Sequence, residues 1–280
     1  MKKINSFSFQ GVNGAYSEQA GKSLFPDATS IPCSTFEEMF EQVRINKADA
    51  AMVPIENSLA GRVADTQRLI PESDLKITKE YFLEVNHNLM AIKGTKISDV
   101  KRIHSHEQGI AQCRKNIINL NKEMIIEADT AGSAKMISEL QNIEDAAIAS
   151  ALAAKIYNLE ILESNFQDIA NNVTRFLIMQ KNLSDIDPVA KNIITTIVFN
   201  VRSIPAALYK CLGGFASNGV QLTKLESYIH PQGFDVAQFY IDFEGHPESS
   251  SAKLALEEMK FFCKELKILG VYEKSSFRKK

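Results

Sequence analysis

Apolar and polar positions recur along this chain with two different rhythms, and the change falls near Lys191. Before it, short runs with strand character are each followed by a stretch with helical spacing. Ser6–Phe9 reads as a strand and Glu18 to Phe25 as a helix. Thr35 to Asn46 places Phe36, Met39, Phe40 and Val43 on one face, the spacing of an amphipathic helix. Ala50–Val53 reads as the next strand. Then come "NHNLMAI" (strand), "VKRIHSH" (strand running into a loop), Gln108–Leu120 (helix) and "MIIEA" (strand). Ala131–Leu140 (helix), "DAAIAS" (strand), Leu152–Tyr157 (helix) and "TRFLIMQ" (strand) complete the series. Such alternation predicts parallel sheets with crossover helices, and ligands in such folds bind at the carboxyl ends of the strands.

"NLSDIDPVAK", residues 182–191, is polar, carries a proline and reads as a linker. Beyond it "IITTIVFNV" is a β-branched strand, and Ile204–Asn218 is a helix with Pro205 in its first turn. "VQLTKLESYI" and "DVAQFYIDFEG" pair as a hairpin, Ser251–Leu266 is a helix, and "GVYEK" ends the pattern as a strand. This β-α-β-β-α-β order is the ferredoxin-like arrangement. A larger α/β unit followed by a small α+β unit is expected, within the range of roughly one or two domains for this length.

Composition works mainly by exclusion. With 32 basic and 34 acidic residues, the chain lacks the basic excess of nucleic-acid binders. Its one basic run, Arg278-Lys279-Lys280, is expected to be a solvated, frayed end. No window approaches the roughly 18 apolar residues of a membrane span. "MKKINSFSFQG" has no apolar run of signal-sequence length, so a cytoplasmic protein is expected. Cys33, Cys113, Cys211 and Cys263 form no CxxC pair and read as buried thiols in a reducing compartment. The five histidines show no ligand spacing, and no metal is expected.

Three polar clusters fall in or beside loops. They are Glu56-Asn57-Ser58, the set Ser105, His106, Gln108 and Gln112, and the set Asn172, Thr174 and Arg175. Gln108 and Gln112 share a helix face. Each cluster alone is compatible with a cap or turn: Ser105 as an N-cap, Asn171-Asn172 as a turn, Thr174 at a strand edge. Together they offer neutral hydrogen-bonding groups around one strong cation. That set suits a small polyanionic carboxylate ligand. It contains no Ser-His-Asp arrangement and no glycine-rich phosphate loop.

The segments "FQGVNGAYSEQA", "VPIENSLAG", "SHEQGIAQC", "DTAGSAKMI", "AAIASALAAKIYNL" and "NNVTRFLIM", in this order, resemble those of prephenate dehydratases. Asn13 and Glu107 stand where that family commonly has proline. The resemblance spans nearly the whole chain. It implies a periplasmic-binding-protein-like (type II) catalytic unit of two subdomains over residues 1–181, with crossovers near 76–82 and 165. A linker (182–191), a ferredoxin-like ACT regulatory domain (192–274) and a basic tail (275–280) would follow. It implies decarboxylative dehydration of prephenate to phenylpyruvate, water and carbon dioxide, a step of phenylalanine biosynthesis, by a monofunctional enzyme without a cofactor.

On the same basis Thr174 matches the threonine of the family's Thr-Arg-Phe motif and would donate a hydrogen bond to the departing hydroxyl. Glu56 is a second acid candidate or a charge that orients Arg175. Asn57 would border the reacting ring, and Arg175 would anchor a carboxylate or shape the site. Ser17, Ser58, Ser105, Gln108, Gln112, Thr130 and Phe176 fall at positions associated with substrate. In the ACT segment Ala206 replaces a glycine, Gln221 an asparagine, and Tyr228-Ile229 an Arg-Pro pair. Ala206, Ala207, Leu208, Gln221, Leu222, Glu226 and Ser227 would contribute to a phenylalanine site between two ACT domains of a homodimer or homotetramer. Arogenate dehydratase, a non-catalytic sensor and a secreted solute-binding protein are the alternatives.

Overall fold

The computed structural model describes residues 3–229 and 237–279, and Asp235 and Val236, read above as the start of a strand, lie outside this range. The chain divides into a larger unit, Ile4–Gln67 with Tyr81–Phe176, and a smaller one that includes Arg68–Glu80 and Leu177–Lys280.

The larger unit opens with β1 (Ser6–Gln10), α1 (Tyr16–Leu24), β2 (Thr29–Cys33), α2 (Phe36–Arg44), β3 (Ala50–Asn57) and β4 (Gly61–Arg62). The chain then runs through α3 (Ala64–Glu72) and β5 (Lys76–Glu84), which straddle the division between the units. It returns as β6 (Asn88–Ala91), β7 (Arg102–His106), α4 (Glu107–Gln112), α5 (Arg114–Asn119), β8 (Glu123–Glu127) and α6 (Thr130–Leu140). β9 (Asp145–Ala149), α7 (Ala151–Ile156), β10 (Glu160–Glu163) and β11 (Val173–Gln180) follow. β1 pairs in parallel with both β2 and β3, and β11 lies beside β3. A second sheet has the order β10-β6-β9-β7-β8, with β7 parallel to both neighbours and β6 antiparallel to β9. Both sheets therefore place the parallel strands in 2-1-3 order beside a strand from elsewhere in the chain, as in a type II binding-protein fold.

Helices cover the second sheet on two sides. Leu89, Ile103 and Ile148 pack on Ile110, Cys113 and Ile117, while Met90, Ala147 and Ala149 pack on Ala131, Ala134 and Ile137. Strands buried on both faces read as continuous apolar runs, which is why "DAAIAS" was legible. The opening loop is drawn onto α7. A Cβ at Gly14 (φ +92°) would sit 2.8 Å from Ala153 Cα, and Ser150 Oγ donates to Gly14 O at 2.6 Å.

The smaller unit holds β12 (Ile193–Val201), α8 (Ala207–Ser217), β13 (Leu222–Ile229), β14 (Ala237–Glu244), α9 (Ser250–Lys260) and β15 (Cys263–Glu273). Its strand order, β13-β14-β12-β15, with antiparallel neighbours, is ferredoxin-like. Ile197, Phe199, Ile241 and Phe243 face Cys211, Phe215, Ala255 and Met259 of the two helices. Phe199 and Phe239 stack with ring centroids 5.4 Å apart. β5 joins this sheet in parallel through Ile77 and Gly270, where any Cβ would meet Ile77 O at 2.3 Å.

Several expectations need correction. β3 continues to Asn57, so the Glu56-Asn57 pair lies in the strand, not beyond it. The helix over Gln108–Leu120 is two helices broken at Cys113, because the Asp168 carboxylate accepts the Lys115 and Asn116 amide protons and starts a new N-terminus. The helix over Ser251–Leu266 stops at Lys260, since residues from Cys263 onward pair along β12. Pro205 precedes the αL residue Ala206 ahead of α8 instead of sitting in its first turn. Ser105 is not an N-cap; His106 caps α4 and accepts the Gln108 amide proton. Arg278 is not frayed. It makes a two-pronged contact with Glu80, at 2.8 and 2.9 Å, because that carboxylate is buried and needs a cation.

Candidate active site

β3 and β11 supply the core of the site, and their ends are tied by Ser58. Its amide donates to Val173 O (2.8 Å), and its hydroxyl accepts from the Val173 amide (2.9 Å). Asn57 turns the chain toward β4: its Oδ1 accepts the Leu59 and Ala60 amide protons at 3.0 and 2.8 Å. Those two backbone donors fix which end of the side-chain amide is oxygen. Asn57 Nδ2 must then donate, and it does so to Asn172 Oδ1 (2.7 Å) and Thr174 Oγ1 (2.9 Å). Thr174 therefore spends a lone pair on Asn57. Among the described residues no protein acceptor takes its hydroxyl proton.

This hydroxyl faces a pocket of about 200 Å³. Asn57, Thr174 and Phe176 line it from β3 and β11, and Ser17, Gln108, Gln112 and Thr130 from α1, α4 and α6. These seven residues were all read from the sequence, and the fold brings them together although Ser17 and Phe176 stand at opposite ends of the unit's sequence. Among the described residues, no Asp, Glu, Lys or Arg lines the pocket. Neutral amides and hydroxyls form its polar wall, together with His87 and His106.

Four predicted residues lie elsewhere. Arg175 is 2% exposed and pairs with Glu56 at 3.0 Å beside the pocket, not in its wall. Ser58 is exposed and holds the strands together as described. Ser105 is fully buried, and its hydroxyl donates to Ile148 O at 2.8 Å. It supports the base of α4 instead: a Cβ at Gly109 would come 2.5 Å from Ser105 Oγ.

Tyr16, His87 and Asn172 line the pocket as well. Asn172 was in view in the sequence, but Tyr16 and His87 were missed. "NHNLMAI" reads as a strand, and nothing in it marks its histidine as facing Gln112, 25 residues later. His87 Nε2 lies 2.8 Å from Gln112 Oε1, and Tyr16 OH lies 2.8 Å from His87 Nδ1. Burial holds the His87 imidazole below its usual range, opposed in part by its bond to Gln112. Among the described residues, no three His, Cys, Asp or Glu side chains gather where they could hold a metal ion, and no helix is long and apolar enough to cross a membrane.

The model of the family "Prephenate dehydratase" matches residues 7–184 of this chain. The chain belongs to the prephenate dehydratase family. Its members are hydro-lyases, and the chain is an enzyme of that class. The chain is 44% identical, over 98% of its length and 97% of the relative's, to a bifunctional N-acyl-homoserine lactone acylase/prephenate dehydratase of Komagataeibacter europaeus. It is 38% identical, over 95% of its length and 71% of the relative's, to an arogenate dehydratase/prephenate dehydratase of Arabidopsis thaliana. A prephenate dehydratase of Arthrobacter aurescens solved with L-phenylalanine superposes with a TM-score of 0.87 at 33% identity, covering 96% of this chain and 90% of that one.

The smaller unit holds the residues expected to bind an effector. Ala207 is buried and Leu208 packs on the core; with Ala206 they line an open hollow of about 490 Å³ formed by Val201–Tyr209. Gln221, Leu222, Glu226 and Ser227 do not line it. Leu222 packs on the core at the start of β13, and Glu226 pairs with Lys224 at 3.4 Å.

Proposed function

We propose that this chain converts prephenate to phenylpyruvate, water and carbon dioxide. The carrying observation is the Thr174 hydroxyl, which accepts from Asn57 and has its proton available toward a pocket without fixed charge. In the reaction the ring C–O bond breaks and the hydroxyl leaves as water with one added proton. The C–C bond to the ring carboxylate breaks, its electron pair enters the ring, and carbon dioxide departs. Thr174 donates a hydrogen bond to the departing oxygen. An arginine on the ring carboxylate would stabilise the charge that has to be lost. Its absence from the wall, with Arg175 held by Glu56, supports transition-state over ground-state binding.

The same wall favours prephenate over arogenate. Arogenate carries an ammonium where prephenate has a keto group, and a desolvated ammonium needs an anionic partner. None of the lining residues is a carboxylate. Parallel measurement of kcat/KM should favour prephenate by about tenfold or more; equal or better use of arogenate would reverse the assignment. Acylase activity belongs to the Komagataeibacter relative. In this pocket no serine, threonine or cysteine is hydrogen-bonded to a histidine, and Cys113 behind Gln112 is fully buried with its thiol pushed up by desolvation.

We further propose that residues 1–181 perform catalysis and 192–274 form an ACT domain through which phenylalanine acts in a homo-oligomer. The phenylalanine complex of the Arthrobacter relative supports this. Ala206 holds φ +59° in the hollow before α8, a conformation that costs an L-residue about 1–2 kcal/mol and glycine little. Melting curves of wild type and Ala206→Gly, with and without millimolar phenylalanine, test both points. Ala206→Gly should melt higher, by up to about 1 kcal/mol of stability, and phenylalanine should raise both curves. Absence of a phenylalanine shift in either protein would count against the effector.

A further inference from the structure

We propose that His87 and Tyr16 are positioning residues, which lock a hydrogen-bond chain ending at Thr174 in the direction set by the Leu59 and Ala60 amides, and do so with His87 as the neutral, Nε2-protonated tautomer. The inference rests on the dehydration reading for its effect on rate, and on geometry alone for its tautomer.

The direction of every bond follows from the backbone end. The Leu59 and Ala60 amides fix Asn57 Oδ1 as an acceptor, so Asn57 Nδ2 donates to Asn172 and Thr174. Asn172 Oδ1 is thereby an acceptor, and its Nδ2 donates to Gln112 Oε1 at 2.7 Å. Gln112 Oε1 is then an acceptor for its other neighbour too, so His87 Nε2 must carry the proton it shares at 2.8 Å. Neutral His87 has a lone pair left on Nδ1, and the Tyr16 hydroxyl, 2.8 Å away, supplies the proton in preference to its second acceptor, Asn86 O, which lies farther off at 3.1 Å. Tyr16 and His87 rings meet edge to face, with centroids 5.5 Å apart, which leaves the imidazole little freedom to turn. The tendency of burial to keep His87 uncharged acts in the same sense.

This arrangement has a consequence at the reacting end. With two donors on Gln112 Oε1, the Asn172 amide cannot flip without setting like groups against each other. A flipped Asn172 would present Nδ2 to Asn57 Nδ2 and push it off Thr174. Thr174 would then lose its donor and could turn its own proton to a protein oxygen instead of the substrate. A neutral group 2.8 Å from Gln112 thus supports, through Gln112, Asn172 and Asn57, the orientation of the Thr174 hydroxyl. It does so through a contiguous network with two discrete arrangements.

Nitrogen-15 spectra of histidine-labelled protein at neutral pH, without substrate, read the tautomer directly. Nε2 protonated and Nδ1 unprotonated is expected, and Tyr16→Phe should keep that tautomer, because Gln112 Oε1 still requires the Nε2 proton. An Nδ1-protonated neutral ring in the wild type would overturn the proposal, whatever the enzyme turns over. In kinetics, His87→Leu should lower kcat about 10- to 100-fold with KM little changed. His87→Gln, whose amide can donate toward Gln112 and accept from Tyr16, should recover most of the loss. If the wild type consumes prephenate, Thr174→Ala does not, and folded His87→Leu keeps wild-type kcat, the positioning role is wrong while the dehydration reading stands. If the wild type leaves prephenate untouched, the dehydration reading fails and the spectra alone decide the tautomer.

Discussion

Replacing Arg278 with alanine is expected to destabilise the protein by about 3–5 kcal/mol, as removal of one partner from a buried ion pair does. Arg278 Nε and Nη2 donate to the two oxygens of Glu80 at 2.8 and 2.9 Å. Nη2 also lies 3.6 Å from Asp242 Oδ2. Both acidic side chains are fully removed from solvent. Asp242 also accepts from Thr196 Oγ1 at 2.6 Å, and Thr196 Oγ1 lies 2.8 Å from Tyr272 OH, so the cluster sits on the sheet face of the smaller unit away from α8 and α9. Alanine would leave two carboxylates there without their guanidinium. Urea unfolding should show the loss as a lower midpoint at unchanged slope. Arg278→Ala combined with Glu80→Gln should recover part of it, because one of the two carboxylate charges is then gone. A single variant within about 0.5 kcal/mol of wild type, the range of ordinary surface substitutions, would show that Arg278 is frayed after all.

The largest effect on activity is expected from Thr174→Ala. Loss of one preorganised donor to a developing charge costs roughly 10²- to 10³-fold in kcat, about 3–4 kcal/mol. The bond from Asn57 occupies one side of the Thr174 oxygen and leaves its proton for an acceptor in the pocket, so the loss should fall on kcat with KM nearly unchanged. Thr174→Ser keeps the hydroxyl but not the methyl that restricts its rotation, and should retain most of the rate. An equal rise in KM and no change in kcat would make Thr174 a binding group only.

Much of this was legible because it rests on local pattern. β12 was read over the residues it occupies, since seven apolar or β-branched residues in succession, Ile193 to Phe199, admit few alternatives. Six polar residues of the pocket wall were legible within motifs: Ser17, Asn57, Gln108, Gln112, Thr130 and Thr174. What failed depended on distant partners. β2, β5, β10 and α3 were not read as elements. "TSIPC" carries a proline at an edge strand, and Pro71 lies inside α3, both of which mask the pattern. The break at Cys113 comes from Asp168, and the order of Arg278 from Glu80. Ser105, Ser58 and Arg175 carry the polarity of a site while serving its support, a distinction set by where each side chain points. His87 is the converse: its sequence neighbourhood is bland and its partners come from α1 and α4.

The most direct test of the account is phenylpyruvate formation. Purified wild type and Thr174→Ala would be incubated with prephenate near neutral pH, made alkaline, and read for phenylpyruvate absorbance against a blank without enzyme. The account predicts rapid product formation by the wild type and a rate roughly 10²-fold lower or less for the variant. Equal rates in the two proteins, or a folded wild type no faster than the blank, would contradict it.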